Sequence, residues 1–220
     1  TRTGKYFCSI LYEAAVKQPE AVTPRAETTV GLKYSLAHFY VDDSGHLADP
    51  PRWLKQSQAK LAKLQQRLAR MEPGSQNYAE AVQKYRLIHE HIANQRRDFL
   101  HKESRRIANA WDAVCLRADA LDEMAKMLTQ DPSAVRDSGY RMFRELLRYK
   151  LERQGKALIL VDRYTPTTRT CSACGQVQPE IPYPRRSWRC PRCGTSHDRE
   201  VNAAVNIKRC GLAQFAGQSA

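Results

Sequence analysis

Four cysteines form two Cys-x-x-Cys pairs, Cys171 with Cys174 and Cys190 with Cys193, with fifteen residues between the pairs. Each pair is followed by a glycine, Gly175 or Gly194. Thiolates at this spacing bind a soft divalent cation, and four of them fill a tetrahedral shell with no open position. The chemistry is therefore structural, that of a zinc ribbon. The glycine after each pair lets the backbone turn so that amides face the thiolates. Two disulfides would use the same residues, but nothing in the sequence implies an oxidising compartment. The other three of the seven cysteines, Cys8, Cys115 and Cys210, are isolated and read as small core residues. The isolated histidines have the same reading. His197 lies beside the ribbon, but four thiolates already suffice.

A second candidate is a charge in an unusual place. VGLKYSL, residues 30 to 36, runs on into AHFYVDDSG and reads as strand, tight reversal and strand, with Lys33 in mid-strand. The charge of the whole chain points the same way. Lys and Arg number 36 against 23 Asp and Glu, a net +13 that suits a polyanionic partner, with nucleic acid the usual one. At 42% hydrophobic the chain can build a sizeable core over its 220 residues. No apolar run approaches the roughly 18 residues of a membrane span, and no secretory signal is visible. The chain starts at Thr1 and reads as a fragment or a processed product.

Residues 4 to 12, GKYFCSILY, read as a strand, followed by the polar, proline-containing linker KQPEAVTPRAE. Residues 28 to 34 and 36 to 42 read as two strands, and DDSG at 42 to 45 as a turn. From Trp53 the period becomes helical, with Leu54, Leu61, Leu64, Leu68 and Met71 on one side. The segment 52 to 71 carries six Lys or Arg and no acid. After EPGSQN, a second helix places Tyr78, Val82, Tyr85, Ile92 and Phe99 on a stripe. The two make an antiparallel hairpin whose stripe is a packing seam, and the acid-free run of six positives at 52 to 71 suits phosphate better than bare solvent. Further on, 113 to 119 reads as a buried strand, 121 to 130 as a helix and DPSAVRDSG as a loop. Residues 140 to 154 form an amphipathic helix with Phe143, Leu146, Leu147 and Leu151 apolar, capped at Gly155. KALILVDRY, 156 to 164, is the cleanest strand, and 199 to 209 a last helix rich in small residues. The order predicts an α/β fold: an RNase H-like mixed sheet, first strand beside the fourth, with a long helical-hairpin insertion and an inserted four-cysteine zinc ribbon. Nucleases of that architecture gather carboxylates at one sheet edge around two Mg²⁺ about 4 Å apart.

TPTTRTCSACG, then WRCPRCGTSHDREVNAAVNI, resembles the C-terminus of TnpB (OrfB) transposon-encoded proteins, RNA-guided relatives of type V CRISPR effectors. VGLKYSL-AHFYVDDSG is similar to their first RuvC segment, HIANQRRDFLHKESRRIA to their helical insertion, and VCLRADALDEM to their second RuvC segment. The likeness runs from about residue 4 to residue 209. It implies that residues 1–27 are the end of an N-terminal β, wedge-like region and a linker. It implies a RuvC-like domain at 28–165, with its helical insertion at about 52–111. A zinc ribbon follows at 166–196, then the last RuvC helix and tail at 197–220.

The resemblance also assigns a site, and this chain departs from it. The first RuvC segment usually supplies an Asp, where Lys33 stands; the second a Glu, where Arg117 stands; the third an Asp, where Glu200 stands. Asp198 matches the family's other acidic residue, which is not the usual ligand. Two Mg²⁺ need several negative oxygen ligands. Each unit charge pair at 4 Å is worth about 4 kcal/mol at an effective dielectric near 20, so two cations in place of carboxylates leave no metal site. Asp42, Asp43, Asp119 or Asp122 would supply ligands only in another register. The expectation is a nuclease-dead fold in which Glu200 pairs with Lys33 and Arg117. It would carry structural Zn²⁺ on Cys171, Cys174, Cys190 and Cys193, and no catalytic Mg²⁺.

The partners implied are guide RNA and double-stranded target DNA, with a homodimer or a longer partner protein, no membrane, and a cytoplasmic, nucleoid-associated location. The expected activity is repression of transcription by occupying guide-matched DNA. An active Mg²⁺-dependent RNA-guided endonuclease and an inert transposon remnant or accessory subunit are the alternatives. Residues expected on nucleic acid are Lys55, Lys60, Lys63, Arg67, Arg96 and Arg97 of the hairpin, and Arg163, Arg169, Arg185, Arg186 and Arg189 around the ribbon. Arg192, Tyr183 and Trp188 lie among the latter, where aromatics suit base stacking, although Trp188 equally suits packing on the zinc knuckle.

Overall fold

The computed structural model describes residues 1–13, 19–35, 37–49, 52–118, 139–181 and 185–218. It divides into two compact units: Thr1–Lys17 with Pro51–His101, and Gln18–Pro50 with Lys102–Ala220.

The second unit is built on a five-stranded sheet of order β3-β2-β1-β4-β5. Its strands are β1 (Thr29–Tyr34), β2 (Tyr40–Asp42), β3 (Leu47–Ala48), β4 (Ala113–Arg117) and β5 (Ala157–Val161). β1 and β4 run parallel, from Thr29 opposite Ala113 to Leu32 opposite Leu116. β4 and β5 are also parallel, and β2 pairs with β1 antiparallel. β4 reads as an unbroken apolar run because parallel strands are covered on both faces, and Ala113 to Leu116 are all buried. The first strand does lie beside the fourth, as expected. The second strand is shorter than the sequence suggests, and β3 is an added two-residue edge strand. The shortening of β2 lies at its start, where the reversal out of β1 runs on to Phe39, whose carbonyl accepts from Ser35 N at 3.0 Å; at its end Asp42 Oδ1 accepts from Ser44 N, Ser44 Oγ and His46 N and turns the chain into β3.

Helices cover both faces. α3 (Tyr140–Glu152) buries Tyr140, Phe143, Leu146, Leu147 and Leu151, the predicted apolar face. Its Tyr140 ring lies 4.3 Å from Tyr34 of β1. Side chains alternate along a strand, so Gly31, three residues from Tyr34, faces the other way. There α4 (Arg199–Gln218) packs on the sheet. A Cβ on Gly31 would stand 2.2 Å from Ala204 O, so only glycine allows this approach. Gly155, at φ +69°, closes the end of α3 against Glu20 O, where a Cβ would be 2.0 Å away. A polar cluster braces this framework: Tyr40 OH donates to Glu103 Oε1, and Arg106 Nη2 reaches both Glu103 and Tyr40 at 2.6 Å. Burial, then the Glu103 bond, raises the Tyr40 pKa well above its ordinary value.

The first unit holds α1 (Trp53–Leu68) and the start of α2 (Gln76–Ala110), the predicted hairpin. Leu61 and Ile92 are buried against each other with Tyr85, Ile88 and Phe99 around them, so the stripe is a packing seam. Residues 4–12 were expected as a strand and have no ladder partner among the described residues. An isolated extended segment gains little in water, and Tyr6 and Leu11 are 97% and 99% exposed. Cys8, expected in a core, is exposed there, whereas Cys115 is buried. Burial pushes the Cys115 thiol up to about 12, so it packs as a neutral group. The helix expected at 121–130 lies outside the described residues. Among the described residues, no helix is long and apolar enough to cross a membrane.

Candidate functional site

The ribbon is made of two equivalent knuckles. Cys171 O accepts from Gly175 N and Cys190 O from Gly194 N, each at 2.9 Å. Cys171 N then donates to Gln176 O, and Cys190 N to Thr195 O, again at 2.9 Å. Gly175 and Gly194 take φ +74° and +73°, the left-handed turn the sequence reserves for glycine. A short hairpin, β6 (Ser187–Arg189) with β7 (Ser196–Asp198), carries the second knuckle, and Trp188 opposite His197 fills the small core beside Cys171 and Cys190.

The four sulfurs converge. Their atoms all lie within 4.8 Å of one another, with Cys171–Cys193 and Cys174–Cys190 at 3.7 Å. A tetrahedron with metal–sulfur bonds of about 2.3 Å has edges of about 3.8 Å, so the donor set fits one soft divalent cation. Bonds from the Thr195 hydroxyl and amide hold the Cys193 thiol down to about 6. The Gln176 amide favours the Cys174 thiolate, yet burial and bonds with the other three thiols push it up to about 11. A metal replaces the protons these thiols share. His197 Nε2 lies 3.1 Å from Cys171 Sγ, and burial lowers its pKa, which keeps the ring neutral. Its position in the sequence already placed it beside the ribbon, and the structure puts it against Cys171 without making it a fifth ligand.

The second place of interest is the C-terminal edge of β1 and β4. Lys33 and Arg117 each follow the last paired residues, Leu32 and Leu116, so they stand side by side on the face that carries Gly31 and α4. Glu200 is one helical turn before Ala204, the residue touching Gly31, so it lies on the same stripe of α4. Lys33 and Arg117 thus share one end of the sheet, on the face that α4 covers. Among the described residues no salt bridge joins Glu200 to Lys33 or Arg117; Lys33 Nζ donates to Tyr34 O at 2.7 Å. Two of the carboxylates that another register would supply, Asp42 and Asp43, are engaged elsewhere. Asp42 holds its turn, while Asp43 accepts from Gly31 N at 2.9 Å and Lys208 Nζ at 2.8 Å and so ties β1 to α4. Asp119 and Asp122 lie outside the described residues. Asp198 caps α4, accepting from Glu200 N and Val201 N at 2.9 and 3.0 Å. Burial opposes its charge, but the Val201 amide, Arg186 and the Glu200 amide hold its pKa below the ordinary range.

A family described as "Probable transposase", OrfB of IS605, matches residues 9–130, and the Cas12f1-like TNB domain matches residues 140–207. The chain belongs to the OrfB/TnpB family. It is 33% identical over 217 residues to a Streptomyces pristinaespiralis protein named "Putative RNA-guided DNA endonuclease", covering 98% of this chain and 52% of that one. It is 30% identical to InsQ of Escherichia coli K12, of the same name, over 97% of this chain and 56% of the relative. The chain therefore spans about half the length of the curated relatives it matches. Its fold is similar to that in the cryo-EM structure of the Cas12f1–sgRNA–target DNA complex, with TM-score 0.60, 17% identity, and coverage of 85% of this chain and 51% of that one.

In this TnpB-family chain, the residues expected on nucleic acid divide into two groups. Lys55, Lys60, Lys63, Arg67 and Arg97 are exposed on the hairpin and Arg96 is half-buried. Around the ribbon Arg163, Arg169, Arg185, Arg186 and Arg189 are exposed. Several also brace the fold: Arg169 donates to Pro179 O, Arg189 to Gly194 O, and Arg186 pairs with Asp198 at 3.2 Å. Trp188 is 6% exposed, so its role is packing on the knuckle and not base stacking. Tyr183 lies outside the described residues. Tyr164, 77% exposed with Arg163 4.7 Å over its ring, presents the cation–aromatic pair instead.

Proposed function

We propose that this chain is the RuvC and ribbon part of an RNA-guided DNA-binding protein that has lost nuclease activity and represses transcription by occupying guide-matched DNA. The observation that carries the reading is Lys33 beside Arg117 at the strand ends, with Glu200 on the facing helix, in a family whose relatives are named RNA-guided DNA endonucleases. The two cations and one carboxylate at the family's three site positions sum to +1, the wrong sign for two divalent cations. The same sign, with the exposed basic residues and the net +13, favours a phosphate backbone. In such a protein base pairing reads sequence and the protein holds the heteroduplex. The ribbon holds Zn²⁺ through Cys171, Cys174, Cys190 and Cys193 as a structural ion; bound there, it would cross-link the two knuckles. The domain boundaries at 28–165, 166–196 and 197–220 belong to this reading.

The test is to purify the protein with its native RNA, sequence that RNA, and incubate the complex with matched DNA and Mg²⁺ or Mn²⁺. The expected result is a defined guide-like RNA, retention of matched DNA and no cleavage. Cleavage abolished by Glu200→Ala would establish the active endonuclease instead. Failure to copurify with any defined RNA would establish a remnant or accessory subunit.

A further inference from the structure

Three side chains of α4, at spacings of four and three, reach out of the helix to the chain leading into the first knuckle. Asn202 Nδ2 donates to Thr170 O at 2.8 Å, and Asn202 Oδ1 accepts from Ser172 N at 2.9 Å. Asn206 Nδ2 donates to Thr167 O at 2.9 Å and Thr170 O at 2.7 Å. Arg209 Nη2 donates to Ser172 O at 2.6 Å. Ser172 lies between the ligands Cys171 and Cys174, so two of these bonds act on the metal loop itself. Asn202 and Asn206 are 2% and 3% exposed. Buried amides of this kind hold one geometry, because an unmade bond there costs the full desolvation of the group. The bonds are directional: each asparagine uses its amide as donor to a knuckle-side carbonyl, and Asn202 also uses its oxygen. Alanine or leucine would pack at these positions; only an amide can do both.

The geometry points to Asn202 and Asn206 as positioning residues that couple the four-thiolate site to α4. A divalent cation on the cysteines fixes Thr167 to Ser172, and through the two amides that loop fixes the first two turns of α4. Metal loading of the ribbon is thus read out in the helix that packs on β1. Coupling of this kind is reciprocal: whatever factor the clamp adds to metal affinity, the metal adds to the ordering of the helix. The partners behind metal ligands typically govern affinity by about 10- to 100-fold. The inference rests on the ribbon taking a metal and not on RNA guidance, and no nucleic acid enters its test.

The test uses the full chain and Zn²⁺ or Co²⁺. Metal affinity is measured by competition with a chromophoric chelator, the ligand shell by the Co²⁺–thiolate absorption bands, and helix order by hydrogen exchange of peptides from 199–209. In the parent, stripping the metal speeds exchange in the first turns of α4 by the same roughly 10- to 100-fold that the clamp contributes to affinity. Asn202→Ala with Asn206→Ala keeps the tetrahedral Co²⁺ bands, since all four thiolates remain, but binds metal about 10- to 100-fold more weakly. Its α4 exchange no longer responds to the metal. Should that variant fail to fold, Arg209→Ala decides, because its side chain is exposed and it removes one bond to Ser172: a several-fold weaker metal site with unchanged bands is expected. Unchanged affinity in the variants, or parent α4 exchange indifferent to metal, overturns the coupling. So does a parent that binds neither Zn²⁺ nor Co²⁺.

Discussion

Gly31→Ala should damage the protein far more than one methyl group suggests. The added Cβ would lie 2.2 Å from Ala204 O, 2.8 Å from Lys208 Cβ and 2.9 Å from Lys208 N. Carbon–oxygen contacts stop at about 3.3 Å, so α4 must retreat from β1 by about 1 Å. The obstacle is backbone, which has no rotamer to change. The retreat also stretches the Lys208–Asp43 pair, now 2.8 Å, whose carboxylate holds Gly31 N. Overpacking of this kind costs about 3 kcal/mol, or a melting point lower by about 6–12 °C for a domain of this size. Gly211→Ala is the informative contrast. Its Cβ would meet Cys115 Sγ at 2.4 Å, a side chain that can be removed. Cys115→Ala should therefore rescue Gly211→Ala, with a favourable interaction of about 1 kcal/mol in a double-mutant cycle, and should not rescue Gly31→Ala. Gly217→Ala, with nothing within 4 Å of the added Cβ, serves as the neutral control. Far-UV circular dichroism melts read all four. A Gly31→Ala melt within 2 °C of the parent, or strict additivity of Cys115→Ala and Gly211→Ala, would refute the close-approach argument.

Asp198→Ala removes the α4 cap and should cost about 1 kcal/mol in urea unfolding, whereas Asp198→Asn, an equal capping residue, should cost much less. Because the folded Asp198 pKa is depressed, its contribution is present above the unfolded value near 4 and is lost as pH falls through the folded value. Asp198→Asn should accordingly flatten the acid limb of the stability curve; an unchanged limb contradicts the assignment. At the sheet edge, Lys33→Asp alone takes the three groups from +1 to −1 and should revive neither Mn²⁺ binding nor cleavage. Only with Arg117→Glu, at −3, should calorimetry detect Mn²⁺, and binding by Lys33→Asp alone counts against the charge argument. Alanine at Arg185 and Arg189 should weaken DNA retention uniformly across sequences and reduce the salt-dependence slope by about 1 for each phosphate no longer neutralised; an unchanged slope removes them from the interface.

What the sequence discloses is what a few neighbouring residues decide among themselves. Cys-x-x-Cys-Gly specifies a knuckle because the turn, the amides and the two sulfurs all lie within six residues, and both knuckles form as expected. The stripe from Leu61 to Ile92 also survives, since helical period needs no distant partner. Readings that depend on a partner fare differently. GKYFCSILY has strand composition, yet a strand exists only where another edge accepts it. Trp188 looks the same in sequence whether it stacks on a base or fills a ribbon. Glu200 was expected to pair with Lys33 and Arg117 because the resemblance assigns all three to one site, but which side chains meet across a sheet and a helix is set by their packing, and among the described residues no salt bridge joins them. Asn202 and Asn206 were visible only as small-residue helix, although asparagines four apart on a helix otherwise rich in alanine are a signal: amides disfavour helix interiors unless their side chains bond elsewhere.

Under the proposed function, holding DNA and cutting it make opposite demands on one sheet edge. Cutting needs several carboxylates close together, a repulsive cluster tolerable only while divalent cations neutralise it. Holding needs the reverse sign, since each phosphate oxygen near a lysine or arginine gains about 4 kcal/mol before screening at an effective dielectric near 20 and 4 Å. Exchanging two carboxylates for Lys33 and Arg117 therefore both removes the metals and strengthens the grip on the backbone they acted on. The exchange leaves the fold's own fastenings alone. Asp43 still ties β1 to α4, Asp198 still caps α4, and Asn202 and Asn206 still join α4 to the ribbon. None of those bonds uses the side chain of a substituted position; Glu200 enters the cap only through its backbone N–H. That separation is the physical reason a site of this kind can lose its chemistry without losing the architecture that presents it.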